Sequence, residues 1–300
     1  MAKSYERKAR HLVVVLGDQL SDQASAFDGF DQQSDAVLMM EVAEEATYVP
    51  QHKMRLALFF SAMRHFRQEL ETKGRRVHYA QLEDQNNRGS FAEELRRWAH
   101  KTRPEKLIVT KPGDYRVEQE IREAAKSLGC KLEVRPDRHF LCDLEEFQTY
   151  AAERKSFLLE GFYRKMRRSC SILITENGPT GGQWNYDSDN RKAFGPDGPG
   201  QIKAPRSFSQ DDVTGAAIDT VARCFPDNPG KLDSFDYPVT RDQAYAALRD
   251  FIKNRLANFG TYQDAMVTDR PYLYHSRLSC VLNLHLLDPR DAINAAVDAY

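Results

Sequence analysis

Residues 12–18 read LVVVLGD: five aliphatic side chains, three of them β-branched, halted by a glycine and an aspartate. A short run that is apolar at every position, rather than at every second one, suits a strand covered on both faces, as in a parallel sheet. Four further runs of this kind follow at Asp35–Val42 (DAVLMMEV), Arg76–Leu82, Lys106–Thr110 (KLIVT) and Lys131–Arg135 (KLEVR). Helical patterns separate them. Met54, Leu58, Phe59, Ala62, Phe66 and Leu70 recur at helical spacing between charged residues. Ser90-Phe91-Ala92-Glu93 has the form of a capping box for a helix to about Lys101, and Val117–Leu128 is a further helix with Gly129 as its stop. Strands alternating with helices require right-handed crossovers, so the first 140 residues are expected to form a doubly wound, five-stranded parallel α/β sheet.

Ligands of such sheets sit beyond the carboxyl ends of the strands. The first strand runs into LGDQLS and the second into MEVAEEATY, which makes these two loops the first candidates for a binding site. LGDQL lacks the GxGxxG fingerprint, which speaks against an ordinary NAD site. Asp18 suits either a turn cap or a ligand contact.

Beyond residue 140 the texture changes. Asp143–Arg168 is helical in pattern, and Gly178–Pro205 holds ten Gly or Pro in 28 positions. The latter contains GGQWNYDSDNRKAF, whose interleaved aromatic and basic residues suit an ordered binding loop better than a tether. Helices are then expected over Asp211–Phe225, from the Thr240–Gln243 capping box to Gly260, over Ser276–Leu287, and from Asp288-Pro289 onward. The last pattern still runs at Tyr300, and Ala292, Ile293, Ala296, Val297 and Tyr300 define an apolar face in need of a partner. A helical domain of 211–300 alone has little core, so the expectation is that the chain ends before its second domain is complete.

Composition narrows the classes. Lys and Arg number 43 against 44 Asp and Glu, so the chain is no polycation. Between Arg154 and Arg206, however, ten basic residues face five acidic ones, which fits either a solvated face or a phosphate-binding patch. No long apolar run interrupts a mean hydropathy of -0.64, and the basic start MAKSYERKARH leads into a strand rather than a signal-peptide core, so a cytoplasmic protein without a membrane span is expected. Five scattered cysteines without a CxxC argue against a disulfide framework or a self-contained metal site.

The blocks LGDQLS, EVAEEATYV, FFSAMRHF, EGFYRKMRR, GGQWNYDSDNR, FPDNPGKLDSFDYPVTR, FGTYQDAM and HSRLSCVLNLHLL run in order along nearly the whole chain. Together they resemble the amino-terminal part of the iron–sulfur bacterial cryptochromes and photolyases. The resemblance implies an α/β antenna-binding domain over 1–140, interdomain helices and the Gly/Pro-rich loop over 141–210, and the beginning of an all-helical FAD-binding domain over 211–300. It implies FAD, a ribityl-lumazine antenna and, in intact members, an iron–sulfur cluster whose ligands lie outside these residues. Gly17, Asp18, Glu45 and Tyr48 fall at the antenna site. Ser276, Arg277, Leu278 and Ser279 look like the stretch that holds the FAD phosphates, although Ser276 also suits a plain helix cap. Asp187 and Arg191 fall in the loop near the lesion entrance and also have the spacing of an i,i+4 pair. The basic residues Arg164–Arg168 would add DNA affinity. The implied function is light-driven repair of pyrimidine (6-4) photoproducts by a monomer acting on damaged DNA, or blue-light sensing. Catalytic residues are expected beyond Tyr300, with activity belonging to the full family domain rather than to these 300 residues; a non-catalytic small-molecule-binding module is the remaining reading.

Overall fold

The computed structural model describes residues 8–152 and 154–300. Strands β1 (His11–Val15), β2 (Ala36–Met40), β3 (Val77–Ala80), β4 (Lys106–Thr110) and β5 (Lys131–Arg135) form one sheet in the order β3-β2-β1-β4-β5. Every pairing is parallel, in keeping with the apolar runs of the central strands β1, β2 and β4. The connections carry α1 (Ala43–Thr47) and α2 (Lys53–Thr72), then α3 (Phe91–Thr102) and α4 (Tyr115–Ser127). The strand order reverses between β1 and β4, and it is outside the carboxyl ends at such a switch point that ligands of these sheets sit.

Alternation along the strands sorts the core onto two faces. Leu12, Val14, Leu38, Leu107 and Val109 join Leu95, Trp98 and Ile121 of α3 and α4 in one cluster. Val13, Val37, Met39 and Ile108, also buried, point to the opposite face. Local signals hold in detail: the Ser90 hydroxyl accepts from the Glu93 amide at 3.3 Å, and Gly129 takes a φ of +62° where α4 stops. The reciprocal half of the capping box is replaced, because the Glu93 carboxylate pairs with Arg96.

The remaining elements are α5 (Leu144–Ala152), α6 (Leu159–Ser169), the two-residue strands β6 (Ile174–Thr175) and β7 (Gly178–Pro179), α7 (Asp212–Cys224), α8 (Arg241–Asn254), α9 (Leu256–Phe259), α10 (Ser279–Asn283) and α11 (Pro289–Asp298). Two compact units emerge. The first comprises the chain up to Arg138 with Phe208–Thr240 and Asn283–Leu286; the second comprises His139–Ser207, Arg241–Leu282 and Leu287–Tyr300. Residues 211–240 therefore group with the sheet instead of opening a helical domain. The reason is side-chain chemistry: α7 buries Ala217 and Val221 completely and packs on α2.

A polar network fastens the same helix. Glu41, at the carboxyl end of β2, is 1% exposed and receives Arg64 Nε at 2.7 Å, Arg64 Nη2 at 3.0 Å, the Tyr79 hydroxyl at 2.7 Å and the Leu82 amide at 2.9 Å. Arg64 Nη2 also reaches Thr220 of α7 at 3.2 Å, and Thr220 donates to Glu83 at 2.8 Å. Arg223 completes the chain on Glu83; with the Thr220 bond it holds that carboxyl down to about 2. The Tyr79 hydroxyl is pushed well above its usual range by burial and by the Glu41 carboxylate. A buried carboxylate with this many donors is well compensated.

Asp143–Arg168 divides into α5 and α6, and helical expectations change further along the chain. Ser276–Leu287 contains only the single turn α10, because Arg277 (φ 58°) and His285 (φ 59°) adopt left-handed backbone that a right-handed helix excludes. The last helix starts as anticipated, with the Asp288 side chain accepting from the Arg290 amide and Pro289 at the first position, but it ends at Asp298, short of Tyr300.

Candidate functional site

The carboxyl ends of β1, β2 and β4 and the start of α4 carry the candidate residues. Gln19 is 2% exposed and donates to the Thr110 and Lys111 carbonyls at 3.2 and 3.1 Å, which ties the loop after β1 to the end of β4. Its own Oε1 is buried without a partner. Gly17 lies under α2, where an added Cβ would come within 3.0 Å of Met63 Sδ and 3.2 Å of Phe59. Gly17 thus serves close helix–loop packing, a role the sequence motif alone did not disclose.

Asp18 is half-buried. Burial, assisted by the charges of Asp137, Glu45 and Asp114, pushes its carboxyl up to about 6 against a backbone hydrogen bond that lowers it. The group therefore passes its midpoint in mildly acidic solution, where it can donate or accept a hydrogen bond, and is mostly ionised at neutral pH. Its linkage to stability has a definite sign. A carboxyl raised in the folded state contributes stability that is complete below about 3.8 and is lost as the pH rises through about 6. An Asp18→Asn variant is expected to gain on the wild type by about 1–3 kcal/mol between pH 4 and pH 8, read from denaturant unfolding at each pH. A constant difference across that range would refute the assignment.

Glu45, in α1, and Tyr48, just after it, meet at Arg116 of α4. Arg116 Nη2 bonds Glu45 at 2.5 Å and lies 3.4 Å from Asp114, while its guanidinium carbon lies 4.4 Å from the centre of the Tyr48 ring. Glu45 is the leading cause of the raised Arg116 guanidinium. Two other donors, Nε and Nη1, are buried without a partner. Buried N–H groups are seldom left unpaired, so this pair points to an acceptor that the protein itself does not supply. Tyr48 is 66% exposed and offers a free aromatic face beside them. A planar heterocycle with carbonyl oxygens fits such donors and such a ring. Arg116 escaped the sequence reading because a lone Arg after a helix cap carries no signal until the fold brings it to Glu45.

The second unit places the other candidates. Ser276 accepts from the Leu278 amide at 3.3 Å, Leu278 is buried, and Arg277 lies 5.0 Å over the Tyr272 ring. Ser279 opens α10. Hydroxyl and guanidinium groups suit a pyrophosphate, but a one-turn helix adds little dipole to them. Asp187 and Arg191 do not form the i,i+4 pair, since the loop there turns instead of coiling; Arg191 Nε lies 3.5 Å from Asp264. The Asp264 amide also reaches the Asn190 carbonyl at 3.4 Å, so GGQWNYDSDNR docks on FGTYQDAM.

The basic run of α6 is largely spent within the unit. Arg164 pairs with Glu160 and Lys165 with Glu146. Arg167 is 7% exposed and donates to the carbonyls of Ile172, Leu173 and Trp184 at 3.2, 2.6 and 3.1 Å. Arg168 is exposed without a carboxylate partner among the described residues, 4.4 Å over the Trp184 ring. Three of the four charges of Arg164–Arg168 thus find partners within the unit.

Among the described residues no cluster of His, Cys, Asp and Glu has metal-binding geometry, and no helix is long and apolar enough to cross a membrane. The family model described as "Deoxyribodipyrimidine photo-lyase-related protein" matches residues 13–237. A (6-4) photolyase of Agrobacterium fabrum is 45% identical over 291 residues, which are 96% of this chain and 57% of that protein. An uncharacterized protein of Acanthamoeba polyphaga mimivirus is 28% identical over 92 residues, 29% of this chain and 47% of the viral one. Among solved structures, a bacterial class III photolyase from Agrobacterium tumefaciens superposes with a TM-score of 0.56 at 17% identity, over 97% of this chain and 52% of that one. A cryptochrome from Synechocystis gives 0.52 at 13%, over 98% and 56%. At these identities the two structures show a shared fold. The chain spans little more than half the length of these photolyases and of the cryptochrome.

Proposed function

The chain belongs to the deoxyribodipyrimidine photo-lyase-related family, and from that premise we propose that it serves light-dependent repair of pyrimidine (6-4) photoproducts in DNA. In this reading the α/β unit holds a lumazine-type antenna at the strand ends, and residues Ser276–Ser279 hold phosphates of FAD. The observation that carries the antenna site is the Arg116 guanidinium, with two buried unpaired donors beside Glu45 and the open face of Tyr48. Arg116 supplies donors to ring carbonyls, Tyr48 supplies a stacking face, and Asp18 supplies a proton donor or acceptor. Gln19 and the α2 side chains under Gly17 keep the floor of the site fixed. When bound, the flavin supplies the electron for repair and the antenna collects light for it. Among the described residues the five cysteines make no disulfide and join no cluster of metal-binding geometry.

The decisive test is repair of an oligonucleotide bearing a (6-4) lesion by the flavin-loaded protein under blue light and in the dark. Light-dependent restoration is expected; its absence sinks the repair reading. Glu45→Ala and Tyr48→Ala are expected to weaken lumazine binding at least tenfold, by removing the polar anchor and the stacking face respectively. Fluorescence titration of lumazine reads this without recourse to activity.

A further inference from the structure

Among the described residues, half of the exposed large apolar side chains fall in one short stretch: Phe140, Leu144, Phe147, Phe157, Leu158, Leu159 and Tyr163 are seven of fourteen. Phe157, Leu158 and Leu159 are the most open of these, at 66, 70 and 80% exposure. Isolated apolar residues on a surface need no explanation, but a concentrated patch marks a place of contact.

The patch stands where local helix chemistry would call for something else. Leu158 is the N-cap of α6 and makes no side-chain capping bond. Serine, threonine or aspartate at that position would stabilise the helix by about 1 kcal/mol over an aliphatic residue. A start written Phe-Leu-Leu therefore sacrifices local stability at an exposed site, as positions shaped by function do.

Its surroundings are cationic. Arg154 and Lys155 precede the run and Arg168 closes α6. None of the three has a carboxylate partner among the described residues; Arg154 lies 4.1 Å over the Tyr150 ring and Arg168 4.4 Å over Trp184. Leu159 and Arg168 are nine residues apart on one helix, about 14 Å, within the reach of a few nucleotides. Underneath, Phe147 and Phe162 pack edge to face at 5.4 Å, which gives the tip a firm base.

We propose that Phe157–Leu159 forms an apolar tip that contacts unstacked bases in a damaged duplex, with Arg154, Lys155 and Arg168 on the flanking phosphates. This rests on the DNA-repair reading above and assigns that reading a contact surface. Apolar side chains replace stacking where a duplex is already opened, and the cationic rim adds attraction that does not depend on sequence. A protein partner would be served by the apolar patch alone; unpaired positive charge on either side of it favours a polyanion.

The test compares binding of the protein to a fully paired duplex and to the same duplex with a two-base mismatch bubble, by fluorescence anisotropy at low and moderate salt. The wild type is expected to prefer the bubble about tenfold. A Leu158→Ser, Leu159→Ser double variant is expected to lose most of that preference while binding the paired duplex unchanged. Lys155→Gln with Arg168→Gln is expected to weaken both complexes equally and to flatten their salt dependence. A double variant that keeps the full preference overturns the proposal. So does a wild-type dimer that the double variant converts to monomer in sedimentation, since the patch is then an interface between copies. Light-dependent repair with either of these results leaves the repair reading standing and removes only the tip; failure of the wild type to bind either duplex removes both.

Discussion

Replacing Arg64 by alanine is expected to destabilise the first unit by about 3–5 kcal/mol, the cost of leaving a buried carboxylate without its cation. Glu41 is 1% exposed, and burial keeps bulk solvent from replacing the two guanidinium bonds it would lose. The damage spreads, since Arg64 also reaches Thr220 and so holds α7 against α2. Denaturant unfolding monitored by far-ultraviolet circular dichroism measures the loss. A triple variant, Glu41→Leu with Arg64→Met and Tyr79→Phe, removes the charges and the tyrosine hydroxyl together and is expected to recover most of it. A loss below about 1 kcal/mol in Arg64→Ala would show that the network is solvated and contributes little.

Arg167→Ala is expected to have the second-largest effect, about 2–4 kcal/mol, confined to the second unit. The guanidinium binds three backbone carbonyls across the bend that follows α6, where Ser171 and Leu173 hold φ values of 54° and 49°. Without it those carbonyls and the left-handed residues lose their common anchor, and Trp184 loses the group behind it. Limited proteolysis within 170–205 should accelerate, and the emission of one of the chain's two tryptophans should shift to longer wavelength. Arg167→Lys is not expected to rescue the loop, because an ammonium cannot span three carbonyls as the planar fork does. Unchanged cleavage and emission in Arg167→Ala would refute the anchoring role.

The two variants mark the division between what was readable along the chain and what was not. The central strands β1, β2 and β4 were legible from their own side chains, because a strand covered on both faces is apolar along most of its length; the edge strands β3 and β5, half-buried and carrying polar residues, were legible from their short β-rich runs between turns. The caps at Ser90 and Asp288 were legible for a similar reason, since each satisfies a backbone amide two or three residues away. Ser276–Leu287 shows the limit of such reasoning. Its apolar spacing reads as a long helix, yet left-handed backbone at Arg277 and His285 cuts it to one turn. Leu278, Val281, Leu284, Leu286 and Leu287 are all buried nonetheless, so burial produced the pattern and the helix did not.

By itself, then, the sequence determined the parallel α/β sheet, the loops at its strand ends as the place of Asp18, Glu45 and Tyr48, and the family. These depend on interactions local to a segment or on motifs carried intact along it. Tertiary structure alone decided that α7 belongs with the sheet, that Arg116 meets Glu45 across 71 positions, and that Arg191 turns from Asp187 to Asp264. It also decided that the charges of α6 are mostly spent at home. A charged side chain takes whichever opposite charge or bare carbonyl the fold brings within about 3 Å, and no pattern in the neighbouring residues announces which one that will be.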